Sequence, residues 1–194
     1  MKTLIKKSVL ALFLALGLNM TAKENFDVVV KDNFMVTVAF DSTTADSKLK
    51  LEDRNGEILF SEVLGAKPSF KKSLSMEALP QGTYYIVLEN SYRVVTTTIE
   101  KDSKGLVVVE DNDNVIFKPG YKVEGNVVLV SVTNPTQKEA LLHVYDTNGN
   151  VIGSVKDSAL VVKQTLDFSK VPAGDYLISV KIGKETFNKT ITIG

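Results

Sequence analysis

The sequence predicts an all-β protein of two tandem antiparallel β-sandwiches, and three observations support this prediction. Apolar and polar residues alternate with a period of two over short segments rich in Val, Ile, Thr, Tyr and Phe, as in strands with one buried face. Turn residues separate these segments at intervals of about 8–12 positions, the spacing of a sandwich. An internal repeat indicates two equivalent modules, which a duplication explains.

The repeat is visible in two motifs. Residues 49–59 read Leu-Lys-Leu-Glu-Asp-Arg-Asn-Gly-Glu-Ile-Leu, and residues 142–152 read Leu-His-Val-Tyr-Asp-Thr-Asn-Gly-Asn-Val-Ile. The segment Leu-Pro-Gln-Gly-Thr-Tyr at 79–84 returns as Val-Pro-Ala-Gly-Asp-Tyr at 171–176. The first pair is offset by 93 residues and the second by 92, so one residue is lost between the motifs.

The N-terminus has the pattern of a secretory signal peptide. Three lysines precede an apolar stretch at 8–18, which is too short to span a bilayer. We expect cleavage after Ala22 and export of the mature chain; a retained membrane anchor is the alternative. The predicted organisation is then a signal peptide at 1–22, a first sandwich at 23–102 and a second sandwich at 103–194.

The composition excludes several classes of function. The chain has no cysteine, so it has no disulfide, no thiol redox chemistry and no cysteine zinc site. It contains 23 basic and 23 acidic residues, and residues 1–22 hold three lysines and no acid. The mature chain is therefore weakly acidic, which argues against nucleic acid and anionic lipid as partners.

The two repeated motifs have the chemistry of turns. Asp53 and Asp146 each precede an x-Asn-Gly turn, whose asparagine and glycine tolerate the positive φ of a tight hairpin. We expect each aspartate to accept hydrogen bonds from the turn backbone. Tyr84 and Tyr176 each follow a Pro-x-Gly segment by two positions, and we expect their hydroxyls to bond nearby backbone, as in a tyrosine corner.

The alternation predicts the strands and their faces. First-module strands are predicted at 27–31, 34–40, 48–53, 57–63, 69–75, 83–89 and 92–100, and second-module strands at 127–133, 140–146, 150–155, 160–167, 175–182 and 185–193. In the connector, we expect residues 106–109 as an extra strand of either module and residues 115–117 as the opening strand of the second. Tyr85 and Val87, with Leu177, are predicted on outward faces, as a patch where the modules pack or a partner docks.

No set of residues predicts catalysis, so we expect a protein that is not an enzyme and has no catalytic, cofactor-binding or metal residues. His143 is the single histidine, and its place mid-strand on an outward face favours a solvated position over a catalytic base. Asp53 and Asp146 belong to different modules, which argues against a glycosidase pair. No glycine-rich turn opens a helix to bind phosphate.

Two weaker sites stay open as alternatives. The cluster Asp111, Asn112, Asp113 and Asn114 offers oxygen ligands, but it lacks the glycine and distal glutamate of a calcium loop. A polar turn is the preferred interpretation of that cluster, and a weak calcium site is the alternative. Possible outward rings could form a weak carbohydrate-binding platform, although the chain has no tryptophan; these rings are Tyr85, Tyr92, Tyr121 and Tyr145.

Residues 142–193 resemble the C-terminal sorting domain of cargo of the type IX secretion system of Bacteroidota. The shared elements are Val-Tyr-Asp-Thr-Asn-Gly at 144–149, Leu-Asp-Phe-Ser at 166–169, Val-Pro-Ala-Gly-Asp-Tyr at 171–176, and Lys189 before Ile-Thr-Ile. The resemblance implies immunoglobulin-like sandwiches and a domain that the export machinery recognises and often removes. The chain is also similar to small exported Bacteroidota proteins of unknown function built from the same sandwich.

Together these observations favour an exported, non-enzymatic interaction or structural protein. Its expected location is the periplasm, the cell surface or the medium, and its expected partner is a protein or a cell-envelope component. The alternative is a type IX secretion substrate whose C-terminal module is the sorting signal. No cofactor and no membrane span are expected in the mature chain. The strand edges at 27–31 and 185–193 are candidates for pairing with a partner strand.

Overall fold

The computed structural model describes residues 26–109 and 115–194. The predicted signal peptide at 1–22 and the polar cluster at 111–114 lie outside the described residues. All helical or extended structure in the described part is strand, which confirms the all-β class.

Among the described residues, nine strands form the first half and seven the second. The first-half strands are β1 (Phe26–Asp32), β2 (Met35–Phe40), β3 (Lys48–Asp53), β4 (Ile58–Val63), β5 (Phe70–Ser75), β6 (Gly82–Glu89), β7 (Arg93–Lys101), β8 (Leu106–Val109) and β9 (Val115–Phe117). The second-half strands are β10 (Gly120–Glu124), β11 (Val127–Thr133), β12 (Ala140–Tyr145), β13 (Val151–Asp157), β14 (Val161–Asp167), β15 (Gly174–Ile182) and β16 (Glu185–Ile193).

The two halves have the same strand order. In the first half, β1-β2-β5 forms one sheet and β4-β3-β6-β7-β8 the other, with β9 also paired to β7. In the second half, β10-β11-β14 forms one sheet and β13-β12-β15-β16 the other. Every pairing is antiparallel. The strand-for-strand match, with β8 and β9 as the additions, supports the duplication that the sequence repeat indicates.

Each half encloses its own hydrophobic core. The predicted inward residues of β6 (Tyr84, Ile86 and Leu88) are buried in the first core. Their equivalents in β15, Tyr176, Ile178 and Val180, are buried in the second. Alternate residues of a strand point to opposite faces, so each β6 and β15 residue between them lies on the outer face of its sheet.

The repeated turns have the predicted geometry. Asp53 accepts the Asn55 N–H at 2.8 Å and the Glu57 N–H at 2.9 Å. Asp146 accepts the equivalent pair, from Asn148 and Asn150, at 2.9 Å each. The turn glycines have φ of 85° and 80°. A register shift that marks a bulge lies at the same place in both hairpins, so the duplication extends to backbone irregularities.

Both tyrosine corners are confirmed. The Tyr84 hydroxyl donates to the Pro80 carbonyl at 2.7 Å, and the Tyr176 hydroxyl donates to the Pro172 carbonyl at 2.6 Å. Each hydrogen bond joins the Pro-x-Gly turn to the buried tyrosine of the strand that follows it, β6 in the first half and β15 in the second. The sheet end that carries the repeated motif is thereby fixed in both halves.

The prediction that residues 115–117 open the second module is wrong. These residues are β9, which pairs with Arg93–Val95 of β7 in the first half. The second half opens instead with β10, where no strand was predicted. Gly120 suits this strand because a Cβ there would lie 3.1 Å from the Ser131 hydroxyl oxygen on the neighbouring strand. The first half's sheet thus continues past residue 102, through β8 and β9.

Candidate functional site

The two halves of the described structure contact each other at the outer face of β6. Val87 lies on the outer face of β6, yet it is only 5% exposed. Lys184, in the turn between β15 and β16, places its Nζ 4.0 Å from the centre of the neighbouring Tyr85 ring and donates to the Tyr85 hydroxyl at 2.7 Å. The second half therefore covers part of the first half's outer sheet face.

The predicted outward patch is explained in part by this contact. Tyr85 and Val87 line a cleft of about 390 Å³ together with Lys184 and Glu185 of the second half. Leu177 is half-buried on β15, opposite Tyr145 and Thr190, and does not belong to this lining. A second contact comes from β9, because Ile116 pairs through its backbone with the first half while its side chain packs against the second core.

A carboxylate between two lysines strengthens the junction. Glu89 accepts hydrogen bonds from Lys50 Nζ at 2.6 Å and from Lys118 Nζ at 2.7 Å. Burial acts to raise the pKa of Glu89, but the hydrogen bonds and charges of the two lysines outweigh it, and the net pKa is lowered. The ionised carboxylate thus connects β3, β6 and the residue that follows β9.

The pKa of Glu185 is shifted in the opposite direction to that of Glu89. Its pKa is raised, first by burial and then by the negative charges of Glu52 and Glu89, with Lys50 and Lys118 acting in the other direction. A carboxylate whose charge is disfavoured destabilises the arrangement at neutral pH. The junction therefore contains one carboxylate that stabilises it when ionised and one that stabilises it when protonated.

His143 lies at the predicted position in the middle of β12 and is half-buried. Its Nδ1 shares a hydrogen bond with the Tyr145 hydroxyl at 3.1 Å, and the two rings meet edge to face. This partner is a phenol, whereas a catalytic histidine is usually oriented by a carboxylate. The arrangement is that of a packed surface pair on the outer side of the sheet.

The two predicted turn aspartates have a structural role. Hydrogen bonds from the turn hold the pKa of Asp53 low, chiefly the bond from the Glu57 backbone. Those from Asn150 do the same for the pKa of Asp146. Among residues 26–109 and 115–194, no three His, Cys, Asp or Glu side chains are grouped to hold a metal ion. No helix in those ranges is long and apolar enough to cross a membrane.

The four tyrosines considered for carbohydrate binding have different environments. Tyr92 is 69% exposed, Tyr85 lies under Lys184, and Tyr145 packs against His143. The expectation that Tyr121 points outward is wrong. It pairs with Val130, a core residue, and burial raises the pKa of its hydroxyl to about 12. Sequence reasoning missed this because β10 was not predicted as a strand.

Sequence reasoning also missed Lys184 and Glu185 as junction residues. They follow Gly183, whose φ of 58° marks a tight turn between two strands. Such a turn normally points into solvent. The internal repeat does not predict this contact either, because the contact joins the two modules and is not a feature of each module by itself.

The second half matches a known family. Residues 123–194 match the family model of the secretion system C-terminal sorting domain. This match confirms the resemblance that the Asp-x-Asn-Gly and Pro-x-Gly-x-Tyr motifs indicate, and it covers the second sandwich from the end of β10 to β16. Residues 123–194 are therefore similar to a type IX secretion sorting domain, and this similarity supports a secreted or cell-surface location. The comparison with curated proteins found no match.

Solved structures show weaker similarity. A biofilm-associated protein, BSP domain, is 16% identical with a TM-score of 0.32, over 87% of this chain and 29% of that one. A β-glucuronidase of an uncultured Clostridium species is 11% identical with a TM-score of 0.30, over 83% and 32%. One from Faecalibacterium prausnitzii is 14% identical with a TM-score of 0.30, over 86% and 36%. The chain thus spans about a third of the structures it matches, and the likeness carries no information on activity.

Proposed function

We propose that this protein is a type IX secretion substrate whose second sandwich is the sorting signal and whose first sandwich is the passenger. The single observation that carries the proposal is the family match over residues 123–194. The passenger acts as a non-enzymatic interaction or structural module once it reaches the cell surface or the medium. Its working surface is the outer face of the first sandwich, not a catalytic cleft.

The geometry of the second sandwich supports a recognition role. Its motif residues form one continuous end of the domain: Tyr176 is bonded to Pro172, and the Asp175 carboxylate accepts the Thr192 hydroxyl at 2.7 Å. The repeated turn and the last strand are thereby held together. Lys189 is exposed on that last strand, so part of the motif that indicates the family is accessible to solvent.

The duplication provides a matched experiment for the sorting role. A secretion-neutral reporter would be fused to residues 118–194 and, as the control, to residues 26–117, which have the same strand order. Both fusions would carry residues 1–22 and be expressed in cells with and without a functional type IX system. We expect only the 118–194 fusion to reach the surface or medium, and only when the system is functional. Equal location of the two fusions would contradict the proposal.

A second candidate is favoured by the junction. Val87 is buried in a cleft that Lys184 and Glu185 of the second half also line, and Lys184 is bonded to Tyr85 across the two halves. A retained pair of sandwiches, acting together as an envelope protein, would use this contact as a fixed interface. The two candidates differ in one observable: in the second, the mature protein keeps residues 123–194 at its working location.

A further inference from the structure

The outer edge of β16 is the place where the two halves differ most. In the first half, β7 pairs with β6 on one side and with β8 and β9 on the other. Its equivalent in the second half, β16, pairs with β15. Within residues 26–109 and 115–194, no strand pairs with the other edge of β16.

The strand register of the two halves shows which residues of β16 lack a paired strand on their outer edge. Tyr84 pairs with Ile99 in the first half, and Tyr176 pairs with Ile191 in the second. Ile99 and Ile191 are therefore equivalent. Residues 98–101, which β8 covers, then correspond to residues 190–193, whose outer edge stays unpaired in the described structure.

The missing strand leaves apolar surface exposed. Val30 of β1 pairs with Val36, and Val123 of β10 pairs with Val128, so both valines are on the core side at equivalent places. Val30 packs against the first core, and β8 lies beside β1. Val123 is 49% exposed. The side of the second core that a β8-like strand would close is open.

The first half also shows what kind of strand fits. Leu106 and Val108 of β8 pair with Lys101 and Ile99 and pack into the first core. A strand bound to residues 190–193 in the same register would place apolar side chains opposite Ile193 and Ile191. Both isoleucines are buried members of the second core, so these side chains would extend that core.

A charge flanks the open edge. Lys189 is exposed, and its side chain makes no hydrogen bond or ion pair with any other described residue, although its backbone pairs with Ile178. In sequence, the residue after Val109 is Glu110, and Val109 pairs with Thr98, the equivalent of Thr190. A bound strand with an acid at the same place would bring its carboxylate opposite Lys189, where opposite charges on neighbouring strands attract.

We propose that Thr190–Ile193 is a strand-addition site for a partner protein. The ligand is an extended segment that pairs antiparallel with β16, with apolar residues at alternate positions and an acidic residue beside Lys189. Main-chain hydrogen bonds provide the affinity, and the apolar and acidic side chains provide the selectivity. The site follows from the duplicated fold and not from the secretion role, so either can fail while the other stands.

The probe is a peptide with the sequence of residues 103–112, Ser-Lys-Gly-Leu-Val-Val-Val-Glu-Asp-Asn, added to the full chain. Amide hydrogen exchange is followed segment by segment. We expect saturable slowing of exchange in residues 190–193, with no change in β13, an edge strand of the same sheet. Exchange in residues 98–101 is read separately, because the peptide could also replace β8.

Two charge-reversal variants test the role of the lysine. Lys189→Glu is expected to weaken peptide binding about fivefold, because a cross-strand pair of opposite charge becomes a repulsive one. Lys181→Glu makes the same change on β15, away from the edge, and is expected to leave binding unchanged. A peptide in which lysine replaces the glutamate is expected to restore binding to the Lys189→Glu protein.

Four results would overturn the proposal. These are the absence of protection at residues 190–193, protection confined to residues 98–101, and equal loss of binding in the two charge variants. The fourth is protection of residues 190–193 in the protein alone that increases with protein concentration, because a second copy would then occupy the edge.

Discussion

Three buried tyrosine hydroxyls differ in whether they make a hydrogen bond, and Tyr→Phe substitutions distinguish the two cases. Tyr176 and Tyr84 donate their hydroxyls to the carbonyls of Pro172 and Pro80, at 2.6 and 2.7 Å. The Tyr121 hydroxyl is also buried, but it has no hydrogen-bond partner among the described residues. The same substitution, Tyr→Phe, should therefore have opposite effects at the corner tyrosines and at Tyr121.

The expected magnitudes follow from the hydrogen bonds. Tyr176→Phe removes one intramolecular bond, which costs about 1 kcal/mol. Tyr121→Phe removes a buried polar group that makes no bond, so the free energy of unfolding should rise by about 1 kcal/mol. Because both rings pack against the second core, the two variants should differ by about 2 kcal/mol in one cooperative unit. Tyr84→Phe should lower the free energy of unfolding of the first sandwich by the same amount as Tyr176→Phe lowers that of the second.

The assay is thermal and urea unfolding of the full chain, followed by circular dichroism. In a domain of this size, 1 kcal/mol corresponds to a shift of about 4–8 °C in Tm. Stability at high pH gives a second readout. The raised pKa of Tyr121, about 12, means that stability present below pH 10 is lost as the pH rises towards 12, and Tyr121→Phe should reduce this loss.

Two outcomes would contradict these assignments of the tyrosine hydroxyls. One is a Tyr121→Phe variant that loses as much stability as Tyr176→Phe, which would mean that its hydroxyl does have a partner. The other is an unchanged Tm for both corner variants, which would remove the energetic role of the tyrosine corners.

Three further predictions concern the charges and the turn. Lys101→Met should cost about 3 kcal/mol in urea unfolding, because the buried ammonium donates to three backbone carbonyls, at 2.5–2.8 Å; a loss below about 1 kcal/mol would contradict this. Glu185→Gln should raise Tm at pH 7 and remove the gain in stability that the wild type shows as the pH falls towards 4.5, since the folded pKa is raised; an identical pH profile would argue against a buried Glu185. Gly174→Val should cost about 1 kcal/mol or more because its φ of 152° is rare for L side chains, and Gly82→Val, with the same φ, should cost as much; near-wild-type melting of both would contradict the strain.

Local sequence patterns predicted much of the fold. Alternation located the strands because one face of each is buried and the other is not, as the burial of Tyr176, Ile178 and Val180 shows. The Asp-x-Asn-Gly and Pro-x-Gly-x-Tyr segments predicted their own hydrogen bonds, since these bonds join residues no more than four positions apart. The same motifs predicted the family.

Contacts between residues far apart in the sequence could not be predicted from local patterns. Residues 115–117 form a short apolar run that suits the edge of either half, and its pairing with β7 depends on which edge is open. Tyr121 was misplaced because Pro119 and Gly120 conceal a strand. The contact of Lys184 with Tyr85 joins residues of the two halves, and no local period predicts such a contact.

The intact mass of the native protein, from separated periplasmic, surface and medium fractions, shows whether the second sandwich is removed on export. The cells compared would possess or lack a functional type IX system. If the second sandwich is a sorting signal, we expect a surface or released species that disappears from those fractions without the system and that has lost residues 123–194. A periplasmic species that keeps residues up to Gly194, and is the same in both kinds of cell, would contradict it and favour two sandwiches working together.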